Sequence, residues 1–226
     1  INLNSSDGTS SGLLNSLLLC WPFIFNLDIT YLSVRLTALI LIILISISTF
    51  KILKILTNRH IAIIFTIPLV LFYSFTKDPD FLHYSSELLA ITLLIASLYL
   101  FIYQIQKQIK YKTCSPKVTF LILLLLGSVP YAKIQFIIPA LTLSFLYLIF
   151  IYVFKLFKRH FLSFLVGGFF TSMILLIPLY YQNNFEDFYI SNILFSVDLV
   201  ETKTNILLNE FKGLDVPLTG ETTSRL

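Results

Sequence analysis

Six apolar stretches constrain the fold of this chain more than any other feature of its sequence. They occupy residues 32–50, 61–75, 88–105, 118–130, 134–154 and 161–180. At about 1.5 Å per helical residue, roughly 20 residues cross the 30 Å hydrocarbon core of a bilayer. The second and fourth stretches are shorter, so neighbouring helices must shield them or the bilayer must thin around them. The pattern predicts an all-α, polytopic membrane bundle of about six transmembrane helices in residues 32–181.

The composition excludes the soluble classes of protein. Hydrophobic residues make up 57% of the 226 residues and charged residues only 12%, against roughly 25% charged residues in ordinary soluble domains. A single soluble core of this length could not bury 22 Phe and 12 Tyr together with these stretches. We therefore predict no nucleic-acid partner, and the net charge of +4 is a guide to topology. Cys20 and Cys114 show no metal-binding spacing, so neither a disulfide nor a metal site is predicted.

The distribution of charge predicts how the helices are oriented. Residues 51–60, 106–117 and 155–160 hold ten basic residues and no acidic residue, whereas the rest of the chain holds six basic and all twelve acidic residues. Lysine and arginine accumulate in cytoplasmic loops. Both ends of the chain and residues 76–87 and 131–134 are therefore predicted to be extracytoplasmic. Residues 1–31 would form an external loop with an interfacial helix near 13–27, and residues 182–226 an external segment.

Residues 118–154 are too long for one span and predict a hairpin of two helices. The turn signal is Gly127-Ser128-Val129-Pro130, followed by the charge of Lys133. Lys133 and Gln135 would then lie at the outer tip of this hairpin. A cation at that depth is a candidate phosphate ligand, although a lysine near a helix end can also place its ammonium among lipid headgroups without any ligand.

Two further groups at the outer face are candidates for chemistry. Arg35, at the start of the first span, could bind a lipid phosphate or simply anchor its helix. The loop after the second span carries Asp78, Asp80, His83 and, at its end, Glu87. Of the two carboxylates around Pro79, one could orient the other or raise its pKa, as general-base catalysis requires. The alternative is a solvated polar loop. Glu87 could form an ion pair with either cation.

Several short motifs, in this order, resemble the GT-C glycosyltransferases, which include protein O-mannosyltransferases and the lipid A aminoarabinose transferase. The motifs are residues 7–15 (DGTSSGLLN), residues 33–39 (SVRLTAL), the acidic loop with Asp78 and Asp80, residues 84–89 (YSSELL), and residues 129–135 (VPYAKIQ). Residues 7–15 resemble a segment in which relatives carry a proline element, and Leu13 stands where that proline is expected. The last motif is similar to a hairpin tip found in some bacterial relatives.

The resemblance implies transfer of a sugar from a polyprenyl-phosphate carrier to an extracytoplasmic acceptor. It also implies a location in the bacterial inner membrane, as part of cell-envelope synthesis. Asp78 or Asp80 would be catalytic, orienting acceptor or donor, or a divalent cation where one is used. Lys133 and Arg35 would bind the phosphate that leaves.

For the remaining residues, the resemblance implies that Asp7, His83, Glu87 and Gln135 line the substrate site. The partners would be the lipid-linked donor and membrane lipid. The chain begins at Ile1 without a signal-peptide pattern and is predicted to be an interior fragment, so the first-loop acid usually regarded as catalytic in this family would precede it.

Two other classes of function remain compatible with the sequence. A lipid-carrier flippase or transporter would share the hydropathy, but transporters usually carry internal repeats and ionisable residues near the bilayer midplane. A non-catalytic membrane scaffold is the other alternative, because nothing in the acidic loop requires a ligand.

Overall fold

The computed structural model describes residues 12–75 and 85–181, and these residues form helices joined by short connections. The helices are α1 (Leu13–Leu19), α2 (Trp21–Ile24), α3 (Tyr31–Leu56), α4 (Arg59–Phe75), α5 (Ser86–Tyr111), α6 (Pro116–Ala132), α7 (Ile137–Val153) and α8 (Phe157–Tyr181), with a 3₁₀ turn at Ile134–Phe136 before α7. The all-α prediction is confirmed for this part of the chain. Asp7, Asp78, Asp80, His83 and residues 182–226 lie outside the described residues.

Within residues 12–75 and 85–181, three helical segments are long and apolar enough to cross a membrane. They are Tyr31–Leu56, Glu87–Tyr111 and Ile134–Val153, and two shorter apolar helices, Arg59–Tyr73 and Pro116–Ala132, accompany them. Large apolar side chains also cover the outside of the bundle: Ile64, Phe65 and Ile138 are 63%, 66% and 71% exposed. An apolar exterior of this kind is stable in lipid but not in water. These features indicate an integral membrane protein.

The helices extend beyond the apolar stretches at the basic ends. Helix α3 continues through Lys51 and Lys54, and α5 continues through Lys107 and Lys110. Lysine is a good helix former, and a helix need not end where the hydrocarbon core ends. The connections at this end are therefore only a few residues long, and Lys112 closes α5 in the left-handed conformation with φ of 51°.

Helix α6 is the central helix and packs against α5, α7, α8 and α1, while α3 packs against α5 and α4. Its closest neighbour is α8, because glycines let the two backbones approach. A Cβ atom added to Gly127 would lie 2.6 Å from the carbonyl oxygen of Gly168, and one added to Gly167 would lie 2.6 Å from that of Phe120. Thr171 adds a 3.2 Å hydrogen bond to the Leu124 carbonyl. Small residues and interhelical hydrogen bonds are the usual means of helix association in membranes.

The predicted hairpin is present, and its break at Lys133 falls inside the predicted connection at residues 131–134. Residues 127–130 are helical, and Pro130 occupies the last turn of α6. The chain leaves the helix at Lys133, whose backbone is extended with φ of −155° and ψ of 119°. A proline near a helix end removes only one backbone donor, so the helix can continue for a few residues beyond it.

Two short helices, rather than one interfacial helix, lie before the first span. The backbone N–H of Gly12 donates to the carbonyl of Ala132 at 3.1 Å, and the buried amide of Asn15 donates to the same oxygen. In the second helix the indole N–H of Trp21 donates to Thr37 at 2.9 Å. These bonds attach the start of the first described range to the C-terminal end of α6 and to the N-terminal part of α3.

Candidate functional site

The hairpin tip contains an ion pair between a buried lysine and a half-exposed glutamate, and this pair joins two helices. Lys133 Nζ lies 3.1 Å from Glu87 Oε1, and its side chain is 10% exposed whereas that of Glu87 is 52% exposed. A lysine buried this far must be compensated by a negative charge. Of the two partners, Glu87 is the one that solvent or a ligand can approach.

The local backbone fixes both members of the pair. Glu87 lies in the first turn of α5, where the side chain of Ser85 accepts a 3.2 Å hydrogen bond from the Glu87 backbone N–H. A carboxylate in a first turn also interacts favourably with the helix dipole. Lys133 directly follows α6, whose last carbonyl, that of Ala132, is bound by Gly12 and Asn15. The lysine therefore projects from a backbone that several segments hold in place.

The other two candidate residues of the described chain do not join this pair. The guanidinium of Arg35 stacks on the ring of Tyr31, 4.3 Å from its centroid. Within residues 12–75 and 85–181, Arg35 makes no ion pair with Glu87. Gln135 lies in the 3₁₀ turn with its side chain exposed. The structure thus brings Lys133 and Glu87 together, and it places Arg35 and Gln135 apart from their contact.

No group of three or more His, Cys, Asp and Glu side chains that could hold a metal ion occurs in the part of the chain that the structure describes. Asp78, Asp80 and His83 of the acidic loop fall between the two described ranges, and Glu87 follows this loop by only a few residues.

A second polar cluster, which the sequence did not predict, is buried at the opposite end of the bundle. The Thr119 hydroxyl lies 2.7 Å from the Tyr147 hydroxyl and 2.6 Å from Nδ1 of His160. All three side chains are fully buried. Among the described residues, Nε2 of His160 has no hydrogen-bond partner. The contacts link α6, α7 and α8 at one level of the bundle.

The neighbouring connection is held by Gln104 of α5. Its buried side-chain amide donates to the Ser115 carbonyl at 2.9 Å, and its oxygen accepts from the Cys114 thiol at 3.1 Å. Desolvation by burial raises the pKa of the Cys114 thiol by more than the backbone hydrogen bond at Ser115 and the charges of Arg159 and Lys107 lower it. A buried thiol of raised pKa reacts slowly with maleimides. If a membrane-impermeant maleimide failed to label Cys114 in intact cells, this result would therefore not show which side of the membrane the residue faces.

Comparisons with known proteins identified no relative of this chain: no family model, no curated protein and no solved structure matches it.

Proposed function

We propose that this chain is the membrane-embedded part of a glycosyltransferase that moves a sugar from a polyprenyl-phosphate carrier to an acceptor outside the cytoplasm. In this proposal helices α3 to α8 all span the bilayer, and the end that carries Lys133 faces the extracytoplasmic side. The membrane would be a bacterial inner membrane. The resemblance of residues 129–135 to the hairpin tip of GT-C enzymes supports this function.

The ion pair of buried Lys133 with half-exposed Glu87 is the observation that carries the proposal. Burial of the lysine to 10% exposure costs free energy that an anionic partner offsets, and Glu87 is such a partner in the absence of donor. The phosphodiester of a lipid-linked donor carries one negative charge, as the Glu87 carboxylate does, and it gains a second charge when it leaves as a monoester. It can therefore compete with Glu87 for the lysine most strongly as the reaction proceeds. Exchange of partners at Lys133 would then couple donor binding to the start of α5.

The chemistry assigned to the site is a displacement at the anomeric carbon. The acceptor hydroxyl forms a bond to this carbon, the bond from the carbon to the carrier phosphate oxygen breaks, and the phosphate leaves with the electron pair. The hydroxyl proton passes to a carboxylate, for which Asp78 and Asp80 are the candidates in this chain. Lys133 stabilises the charge that develops on the leaving phosphate, which is where an enzyme gains most from a fixed cation.

The proposed orientation is tested with single cysteines in a background without Cys20 and Cys114. Asp28 and Thr57 are both exposed and lie at opposite ends of α3. A membrane-impermeant maleimide applied to intact cells should label Asp28→Cys and leave Thr57→Cys unlabelled until the cells are opened. Labelling of Thr57→Cys alone in intact cells would reverse the orientation and remove the proposed site from the extracytoplasmic side.

The role of the acidic loop is tested by replacing Asp78 and Asp80 together with asparagine. Loss of a general base should lower sugar transfer by at least about a hundredfold, measured with a radiolabelled lipid-linked donor and full-length protein. The matched control is Glu186→Gln with Asp187→Asn, which removes the same charge from the same predicted face. Equal activity of the two double variants would mean that the acidic loop is a solvated polar loop without a specific role in transfer.

A further inference from the structure

A recess with a basic and aromatic lining lies at the end of α5 opposite to Glu87. It has a volume of about 300 Å³ and is lined by Tyr103, Gln106, Lys107, Lys110 and Tyr111. The last four of these residues follow Tyr103 by three, four, seven and eight positions, so all five lie along one face of the helix. About 30 Å of helix separates Lys107 from Glu87 at 1.5 Å per residue. The recess is therefore distinct from the proposed glycosyltransferase site.

The two lysines of the recess have no acidic partner in the described ranges, where the one ion pair is that of Lys133. Their contacts are with aromatic rings: Lys107 Nζ lies 5.9 Å from the centroid of Tyr103, and Lys110 Nζ lies 5.6 Å from that of Tyr111. The carbonyls at the end of α5 contribute a partial charge of only about −0.5. Two ammonium groups exceed it, so the recess favours an anion.

The aromatic and basic pattern continues from the recess to the neighbouring helix. The ring of Tyr99 lies 6.4 Å from that of Tyr103, and Lys51 of α3 lies 5.2 Å from the Tyr99 centroid. Tyrosine rings prefer the level of lipid headgroups, and lysines near the surface attract anionic lipid. The lining thus combines a surface for a lipid glycerol backbone with cations for its phosphate.

We propose that this recess binds the phosphate headgroup of an anionic phospholipid. The Lys107 and Lys110 ammonium groups bind the phosphate oxygens, Gln106 donates a hydrogen bond, and Tyr103 and Tyr111 pack against the glycerol region. A volume of about 300 Å³ is at the lower end of the range of small-ligand sites and suits one headgroup with its acyl chains outside.

The test is native mass spectrometry of the full chain in detergent, titrated with phosphatidylglycerol, with phosphatidylcholine and with inorganic phosphate. Lys107→Gln with Lys110→Gln should weaken phosphatidylglycerol binding about thirtyfold, the loss expected for two lysines at a lipid surface. Lys112→Asn with Lys117→Gln removes the same charge from neighbouring positions outside the recess and should change binding less than about threefold. Lys107→Arg with Lys110→Arg should retain binding, because arginine keeps the positive charge. Circular dichroism of the glutamine variant in the same detergent shows whether it has kept the helical fold.

Three results would overturn the proposal. An equal loss in the control variant would mean diffuse attraction between a basic end and anionic lipid. Equal binding of phosphatidylcholine would remove the requirement for net negative charge. Binding of inorganic phosphate as tightly as phosphatidylglycerol would make the recess a site for a free anion.

Discussion

Replacement of Lys133 by glutamine should lower the turnover of the lipid-linked donor, or raise its apparent Michaelis constant, by about tenfold or more. This factor corresponds to a contact worth at least about 1.4 kcal/mol in the transition state. The ammonium is buried beside apolar helices, where a charge interacts more strongly than in water. The measurement is steady-state transfer from a purified lipid-linked donor at matched amounts of inserted protein.

Glu87→Gln, alone and combined with Lys133→Gln, distinguishes phosphate binding by Lys133 from a purely structural ion pair. If the pair only joins α5 to α6, Glu87→Gln should cost as much activity as Lys133→Gln, and the double variant should cost no more than either. If Lys133 binds phosphate, Glu87→Gln should leave the Michaelis constant for the donor unchanged or lower it, because the carboxylate that competes with the donor for the lysine is gone. Unchanged donor kinetics in correctly inserted Lys133→Gln would reduce the lysine to an anchor.

Gly167→Ala should destabilise the bundle by about 1–3 kcal/mol, the usual cost of overpacking a close contact. Its added methyl group would lie 2.6 Å from the Phe120 carbonyl oxygen and 3.0 Å from Cβ of Leu123, so α6 and α8 would have to separate. Unfolding in a denaturing detergent, followed by circular dichroism, measures the change.

The adjacent residue supplies the control. A Cβ atom on Gly168 would meet nothing within 4 Å in the described chain. Gly168→Ala should therefore be neutral or stabilise the helix by up to about 1 kcal/mol, because alanine is the better helix former. Similar destabilisation by both alanines would show that the approach of α6 to α8 does not limit stability.

The helices were predictable because apolar stretches must become helices in a bilayer, where each backbone polar group needs an internal partner. Their ends were not, since lysines such as Lys107 continue a helix as well as apolar residues do. The hairpin was also predictable, and its break at Lys133 lies within the predicted connection at residues 131–134. What the sequence did not indicate is that α6 continues two residues beyond Pro130.

The candidate site was predicted in part. Pairing of Glu87 with a cation was one expected alternative, and the structure selects Lys133 over Arg35. The cluster of Thr119, Tyr147 and His160 was missed, because its members are 28 and 41 residues apart and each is a single polar residue at an apolar helix. Comparing how far each polar residue lies from the predicted end of its helix would have helped. Successive helices run antiparallel, so polar residues near the same end of the bundle lie at the same depth even when they are far apart in sequence.

The fluorescence of Trp21 can be used to follow the attachment of α1 and α2 to the bundle. It is the chain's single tryptophan, its indole bonds to Thr37, and its ring meets that of Phe25 edge-on at 6.1 Å. Indole emission depends on the polarity around the ring and on the hydrogen bond of its N–H. The chain also has 12 Tyr, so the indole must be excited at a wavelength that tyrosine does not absorb. The emission of the unmodified protein then reports on the two short helices. Donor titrations followed in this way would show whether events at the hairpin tip reach the segment bonded to Ala132.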